Sequence, residues 1–273
     1  MKQSLTITPI HGWVALDLKE IWRFRGLFYY LCLRDIKVRY KQTLLGASWA
    51  VLQPLLTTIV FSVVLGKMAK IPSDGLAYPI FAYCALVPWT FFASCIGRGS
   101  QSIVGNAHLI SKIYFPRLII PTATLGPALV DFAISLVVLF VFATYYAMPP
   151  GLTAFIAVSL LTLLLALLSL AVGLWFGALN TYYRDVSHIV PFVAQLWMFA
   201  SPVVYSFNLV PEKFRLIASF NPLVGIIEGY RSAILGRPWL MEPLGISVLV
   251  TAVLLVTGLF VFKRLETDFA DIA

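Results

Sequence analysis

The run AFIAVSLLTLLLALLSLAVGLWFGAL, residues 154–179, carries no charged side chain. As a helix it would extend roughly 39 Å, more than the hydrocarbon thickness of a bilayer. It offers no polar stripe along which a soluble protein could expose one face. The rest of the chain agrees: 60% of its residues are hydrophobic and only 12% are charged, where soluble domains carry about a quarter. Lipid is the solvent that such a surface requires, and helices are the spanning form that satisfies their own backbone.

Six segments are long and apolar enough to cross: 44–66, 77–97, 118–147, 151–178, 187–207 and 244–262. The expected fold is therefore an all-α polytopic membrane protein with six transmembrane helices. The third segment begins LIIPTATLGPALV, and its prolines predict a kinked or broken start. No soluble domain and no internal repeat stands out. A cytoplasmic N-terminus (1–43), a membrane domain (44–262) and a cytoplasmic C-terminus (263–273) complete the division.

The net charge is +8. The basic residues sit beside apolar spans, which points to anionic membrane and not to nucleic acid. With the N-terminus inside, fourteen of the twenty lysines and arginines fall on the cytoplasmic side. The outer side keeps Lys67, Lys70, Lys213, Arg215, Arg231 and Arg237. Both termini inside matches an even number of spans. The first 43 residues carry charges throughout and show no short apolar core before a cleavage site, so the first span is expected to act as its own insertion signal.

Catalytic and metal-binding patterns are missing. There is no G-x-x-x-x-G-K-[ST] phosphate loop, so the chain does not hydrolyse ATP by that device. There is no G-x-S-x-G, H-E-x-x-H or cysteine–histidine pattern. Cys32, Cys84 and Cys95 read as small apolar residues, and His11, His108 and His188 as surface residues. No catalytic residue, metal or cofactor is expected in this chain.

Four regions stand out. Residues 14–41 place Lys19, Arg23, Arg34, Lys37 and Lys41 on one helical stripe, with Ile21, Phe24, Phe28, Leu31 and Cys32 roughly opposite. Arg25, Asp35 and Arg39 break the pattern, predicting a bend near Gly26 or Arg34. This is the pattern of an amphipathic helix in the cytoplasmic headgroup layer, although the same charges also serve to set topology. The loop 98–117 mixes polar residues with Ile103, Val104, Leu109, Ile110 and Ile113. A short helix there needs a protein partner or lies on lipid.

The outer segment 211–240 shows two helix starts, Pro211–Glu212 and Asn221–Pro222, and a stop at Gly236. Its apolar stretch is too short to cross and suits a re-entrant hairpin; an amphipathic pair lying flat is the other reading. Glu228 and Arg231 can share a face. Finally, Asp131 lies 14 residues past Arg117, a depth of about 21 Å for a straight helix. A carboxylate there needs a partner or a proton. It reads as a polar link, with Arg231 a possible partner, in preference to a proton relay or substrate contact. The deeper aromatics Trp49, Trp89, Phe92, Trp197 and Phe199 have faces suited to sugar rings, and also suit packing or lipid.

Four blocks resemble one known family. LRDIKVRYKQTLLGASWAVLQP (33–54) is similar to the start of polysaccharide ABC exporter permeases. LISKIYFPR (109–117) resembles their coupling region, NTYYRDVSHIV (180–190) the beginning of their fifth span, and NPLVGIIEGYRSAILG (221–236) their outer gate helix. The resemblance implies a homodimer with two separate ATP-binding subunits, which would hold ATP and Mg. It implies a glycan on an undecaprenyl-diphosphate carrier as substrate, in the bacterial inner membrane. It places ATPase coupling at Ser102, Ile103, Asn106, His108 and Leu109, and the outer gate at Asn221, Pro222, Glu228, Tyr230 and Arg231. Arg23, Arg25, Arg34, Lys37, Arg39 and Lys41 would form the interface helix or receive the carrier's diphosphate. O-antigen is the expected polymer, with capsular polysaccharide and teichoic acid as alternatives within the family. A membrane glycosyltransferase would need a polar catalytic cluster, and a proton-coupled transporter would need several intramembrane carboxylates or a repeat.

Overall fold

A computed structural model of the chain describes residues 18–41, 46, 48–266 and 269. The first four residues of the expected interface helix (14–17), residues 44, 45 and 47 of the first span, His11 and most of the C-terminus lie outside the described residues. The secondary-structure elements among them are all helices, with no strand.

The chain begins with α1 (Leu18–Arg23) and α2 (Arg25–Lys41), which break at Phe24, two residues before the glycine expected to bend them. The first span is α3 (Ser48–Phe61), whose last turns widen into a π-helix over Ser62–Met68. Pro54 removes one ladder donor, and the hydroxyls of Thr58 and Ser62 bond the carbonyls four residues back, at 2.7 and 2.6 Å. Such back-bonding loosens helical hydrogen bonds and favours local widening.

The second span, α4 (Tyr78–Gly105), is the buried centre of the protein. It continues through residues 98–105, which hydropathy assigns to a loop. The reason is packing. A Cβ on Gly99 would lie 3.0 Å from the Cα of Gly173, and one on Gly177 would lie 2.8 Å from the Gly99 carbonyl. RGSQSIVG is thus a small-residue surface for a close helix crossing, and only α5 (Ala107–Ile110) remains as a separate short helix.

The third span starts broken, as its prolines predict. It comprises α6 (Ile119–Ala123) and α7 (Leu125–Tyr145), which part at Thr124. α8 (Leu152–Tyr182) follows as one helix, and α4 and α8 form the main packing pair. The expected fifth span, 187–207, is α9 (Val186–Ala200), only 15 residues long. Pro202 explains the early stop: it holds Ser201 in extended backbone, φ −107° and ψ 152°, which ends the helix. Among the described residues, five helices are therefore long and apolar enough to cross a membrane, the last being α12 (Met241–Leu265).

Between α9 and α12 lie α10 (Glu212–Ser219) and α11 (Pro222–Leu235). The α11 ends match the sequence signals. Asn221 caps its start by accepting from the Leu223 amide, and Gly236 closes it at φ +67°, where a Cβ is strained. Every residue of α11 except Ala233 is buried, against α12, α8 and α4. Two glycines permit this. A side chain on Gly225 would overlap the Pro243 carbonyl, and one on Gly229 would press on Leu161.

Candidate functional site

A cavity of about 550 Å³ opens where α2, α3, α4 and α7 meet. Its lining includes the aromatic rings of Trp49, Trp89, Phe91 and Phe132, with Gln53 and Gln101 beside them. Phe91 and Phe132 hold each other with centroids 5.1 Å apart, and the Ser135 hydroxyl bonds the Ala50 carbonyl, tying α7 to α3.

Three charges line the same cavity. Arg39 Nη2 lies 2.5 Å from Asp131 Oδ2, and Arg98 Nη2 lies 3.9 Å from the same oxygen. The Tyr40 hydroxyl donates to Asp131 Oδ1. Burial, then the bond to Asp131, pushes the Tyr40 phenol up to about 12, so it keeps its proton and remains a donor. Arg98 Nη2 is buried, and 3.9 Å is too long for a hydrogen bond; it has no acceptor among the described residues.

One expectation for Asp131 is corrected here. Its ion-pair partners are Arg39 and Arg98, not Arg231. The helix between Arg117 and Asp131 is interrupted at Thr124, and Asp131 lies beside Arg98 of α4. It remains a polar link, joining α7 to α2 and α4.

The other basic residues of α2 divide between two faces. Arg34, Lys37 and Lys41 line a second hollow of about 400 Å³ with Tyr30 and Val38, while Arg39 turns to Asp131. Arg25 lies over the Trp22 ring, 5.5 Å from its centroid, next to Arg23 at the α1–α2 break. Ile21, Phe24, Leu31 and Cys32 pack inward, but Phe28, Tyr29, Tyr30 and Val38 are exposed, so α2 does not divide cleanly into two faces. Arg34 Nη2 donates to Asn106 Oδ1 at 3.0 Å, and Asn106 Nδ2 donates to the Ser102 carbonyl at 2.8 Å. The N-terminal helix is thereby bonded to the end of α4.

Of the five expected coupling residues, Ser102 and Ile103 are buried in the α4–α8 packing, Asn106 and Leu109 are half-buried, and His108 is exposed. The outward surface lies further along, at Ser111, Lys112, Ile113 and Tyr114. The Tyr114 hydroxyl reaches Glu20 of α1 at 3.4 Å.

Of the five residues expected at the outer gate, Glu228 and Arg231 form a buried network with the segment 203–207, while Tyr230, Pro222 and the half-buried Asn221 make contacts of their own. Arg231 is fully buried: Nη1 donates to Glu228 Oε1 at 2.8 Å, Nη2 to the Val203 carbonyl at 3.1 Å, and its guanidinium lies 3.6 Å from the Phe81 ring centroid. Glu228 also accepts from the Phe207 amide at 3.4 Å. Tyr230 shares a 2.8 Å bond with Thr162, and Pro222 is buried. Asn221 accepts from Trp197 Nε1 at 2.9 Å and donates to Ser201 Oγ at 2.8 Å. Glu228 and Arg231 thus pair on one helix face, as their three-residue spacing predicts. Outside this network, Arg237 pairs with Asp74, which also accepts from Ser206. Burial would raise the Asp74 carboxyl, but the bonds from Ser206 and Arg237 outweigh it and hold it below the usual range.

The expected channel aromatics separate as well. Phe92 is buried and meets Trp197 edge-on at 5.1 Å; Trp89 packs on Phe92 and also borders the cavity. Trp49 is exposed at the cavity rim, and Phe199 is exposed on α9.

The model of the ABC-2 type transporter family matches residues 26–235, from α2 through the end of α11. The chain belongs to the ABC-2 type transporter family. Its relatives include the O-antigen export system permease protein RfbA of Klebsiella pneumoniae, 30% identical over 88% of this chain and 92% of that protein. RfbA of Myxococcus xanthus is 30% identical over 93% and 98%. The polysialic acid transport protein KpsM of Escherichia coli is 26% identical over 86% and 92%. The match takes in the cavity, the α4–α5 end and the α11 network together, in a multi-pass membrane protein of this ABC-2 type transporter family.

Arg98, Tyr40, Gln53 and Gln101 escaped the sequence reading. Arg98 falls in a stretch whose hydropathy reads as a loop, and nothing local marks Tyr40. The usable signal was the small-residue spacing of Gly99, Ser102, Gly173 and Gly177, which places residues 98–105 on a helix and Arg98 on its inward side.

Proposed function

We propose that this chain is the permease subunit of an ATP-driven exporter that moves undecaprenyl-diphosphate-linked polysaccharide, O-antigen in the first instance, across the bacterial inner membrane. The observation that carries this reading is the family match together with relatives, named for O-antigen export, that align over nearly their whole length. The named polysialic acid relative keeps capsular polysaccharide as the second reading.

In this reading two copies form the channel, and two separate ATP-binding subunits supply hydrolysis with ATP and Mg. Both termini are cytoplasmic, and α9 with residues 201–209 makes the fifth of six crossings. α1 and α2 lie along the inner headgroup layer, among membrane lipids. The α10–α11 hairpin enters from outside as the gate, its buried network holding it shut against α4. Residues 108–114 meet the ATP-binding subunit. Arg39, which faces the cavity, receives the carrier's diphosphate, while Arg34 and Lys37 on the other hollow of α2 attract the same anionic headgroup, since guanidinium groups pair well with phosphate oxygens.

The test is joint neutralisation, Arg34→Gln with Lys37→Gln and Arg39→Gln, in cells lacking the native copy. Surface glycan should fall by about tenfold or more, while the amount of protein in the inner membrane falls far less. Equal losses of glycan and inserted protein would leave these charges only a topological role.

A further inference from the structure

We infer that the cavity between α2, α3, α4 and α7 is a subsite for a sugar diphosphate, and that Asp131 is the internal anion that occupies its phosphate position when no ligand is bound. This rests on the exporter reading above and adds to it a defined site and a switch within it.

The cavity has the two halves such a ligand needs. One is aromatic and neutral-polar: the half-exposed Trp49 stands at its rim, Trp89 borders it, and Gln53 and Gln101 offer amides that both donate and accept. A pyranose ring presents apolar C–H faces and a rim of hydroxyls, which match those groups. The other half is cationic, with Arg39 from α2 and Arg98 from α4. At about 550 Å³ the space is in the range of small-molecule sites.

The geometry of the charges is what points to an anion. Asp131 satisfies Arg39 at 2.5 Å but stands 3.9 Å from Arg98, whose buried Nη2 has no acceptor among the described residues. Two guanidinium groups share one carboxylate, so the cluster keeps one positive charge in excess. A phosphate, with more oxygens and more charge, can serve both arginines where one carboxylate serves only one. To do so it must take Arg39 from Asp131. That exchange would remove one of the two bonds that α2 makes to Asp131, leaving the Tyr40 bond as the pivot, on the helix that also bonds Asn106 at the end of α4 through Arg34. Ligand arrival would thus reach the surface at 108–114 through the N-terminal helix.

The proposal makes two substitutions act in opposite directions. Asp131→Asn removes the competing anion and should tighten diphosphate binding about tenfold. Arg98→Gln removes the unsatisfied donor and should weaken it about tenfold. A purely structural ion pair would weaken binding in both cases or in neither.

The experiment uses the full chain in lipid nanodiscs. Inorganic pyrophosphate is titrated by calorimetry, and retention of undecaprenyl diphosphate is counted by native mass spectrometry against undecaprenol as the uncharged control. Opposite shifts with both probes would assign the site to the diphosphate group alone; opposite shifts with the lipid only would assign it to the carrier's headgroup. If Asp131→Asn does not fold, Arg98→Gln carries the test, since Arg98 Nη2 donates no hydrogen bond whose loss would cost stability. Wild-type protein that binds neither probe, or an Arg98→Gln variant that binds like wild type, overturns the subsite. Either result leaves co-purification with an ATP-binding subunit unaffected, so the exporter reading would survive it.

Discussion

Replacing Arg231 with methionine should lower stability by about 3–5 kcal/mol, because it leaves the Glu228 carboxylate buried without its counter-charge. For a chain of this size that is a fall of roughly 6–20 °C in the melting temperature in detergent. The argument begins with burial. Arg231 has no exposed surface, and its guanidinium is held by Glu228 at 2.8 Å, by the Val203 carbonyl and by the Phe81 face. Losing it frees the segment from Ser201 to Phe207, which has few helical hydrogen bonds of its own. The double substitution Glu228→Leu with Arg231→Met should recover part of the loss, because no charge is then stranded. A double variant no more stable than Arg231→Met alone would contradict this account of the pair.

The second large effect is expected at the α5 surface. Ile113 and Tyr114 are 54% and 57% exposed beside His108 and Lys112, an apolar and basic face with no membrane-length helix of its own. If the ATP-binding subunit docks here, Ile113→Glu with Tyr114→Glu should weaken the complex by about thirtyfold or more, the scale of a lost interfacial anchor. Export should fall in proportion, while insertion and melting temperature stay near wild type, because neither side chain is part of a packed core. Undiminished co-purification of this variant would move the docking surface elsewhere. Ser102→Ala offers the contrast: that side chain is buried against Gly99, so its loss should act on packing and not on docking.

How legible all this was depended on the range of the interaction. Local signals worked. The Asn221–Pro222 start, the Gly236 stop and the broken start of the third span each rest on the backbone chemistry of one or two residues. Hydropathy found the five long helices, since each must match lipid along its whole length. It failed at residues 98–105, where a drop in apolarity looks like a loop but reflects small residues packed against another helix. It also reads residues 201–207 as a continuation of the α9 helix, because apolar content does not register the constraint that Pro202 places on Ser201. The pairing of Asp131 with Arg39 and Arg98 joins residues far apart in the chain, and no spacing rule reaches that far. Arg231 is not the partner of Asp131, because it is held by Glu228 on its own helix, a pairing that three-residue spacing does reach.

The most direct test of the exporter account is ATP turnover. The chain is co-expressed with a candidate ATP-binding subunit, purified as a complex and placed in lipid nanodiscs, and hydrolysis is followed as undecaprenyl-diphosphate-linked glycan is added. The account predicts a stable complex whose turnover changes with the glycan. A chain that purifies alone, and whose addition leaves the ATP-binding subunit's turnover unaltered with or without glycan, would contradict it.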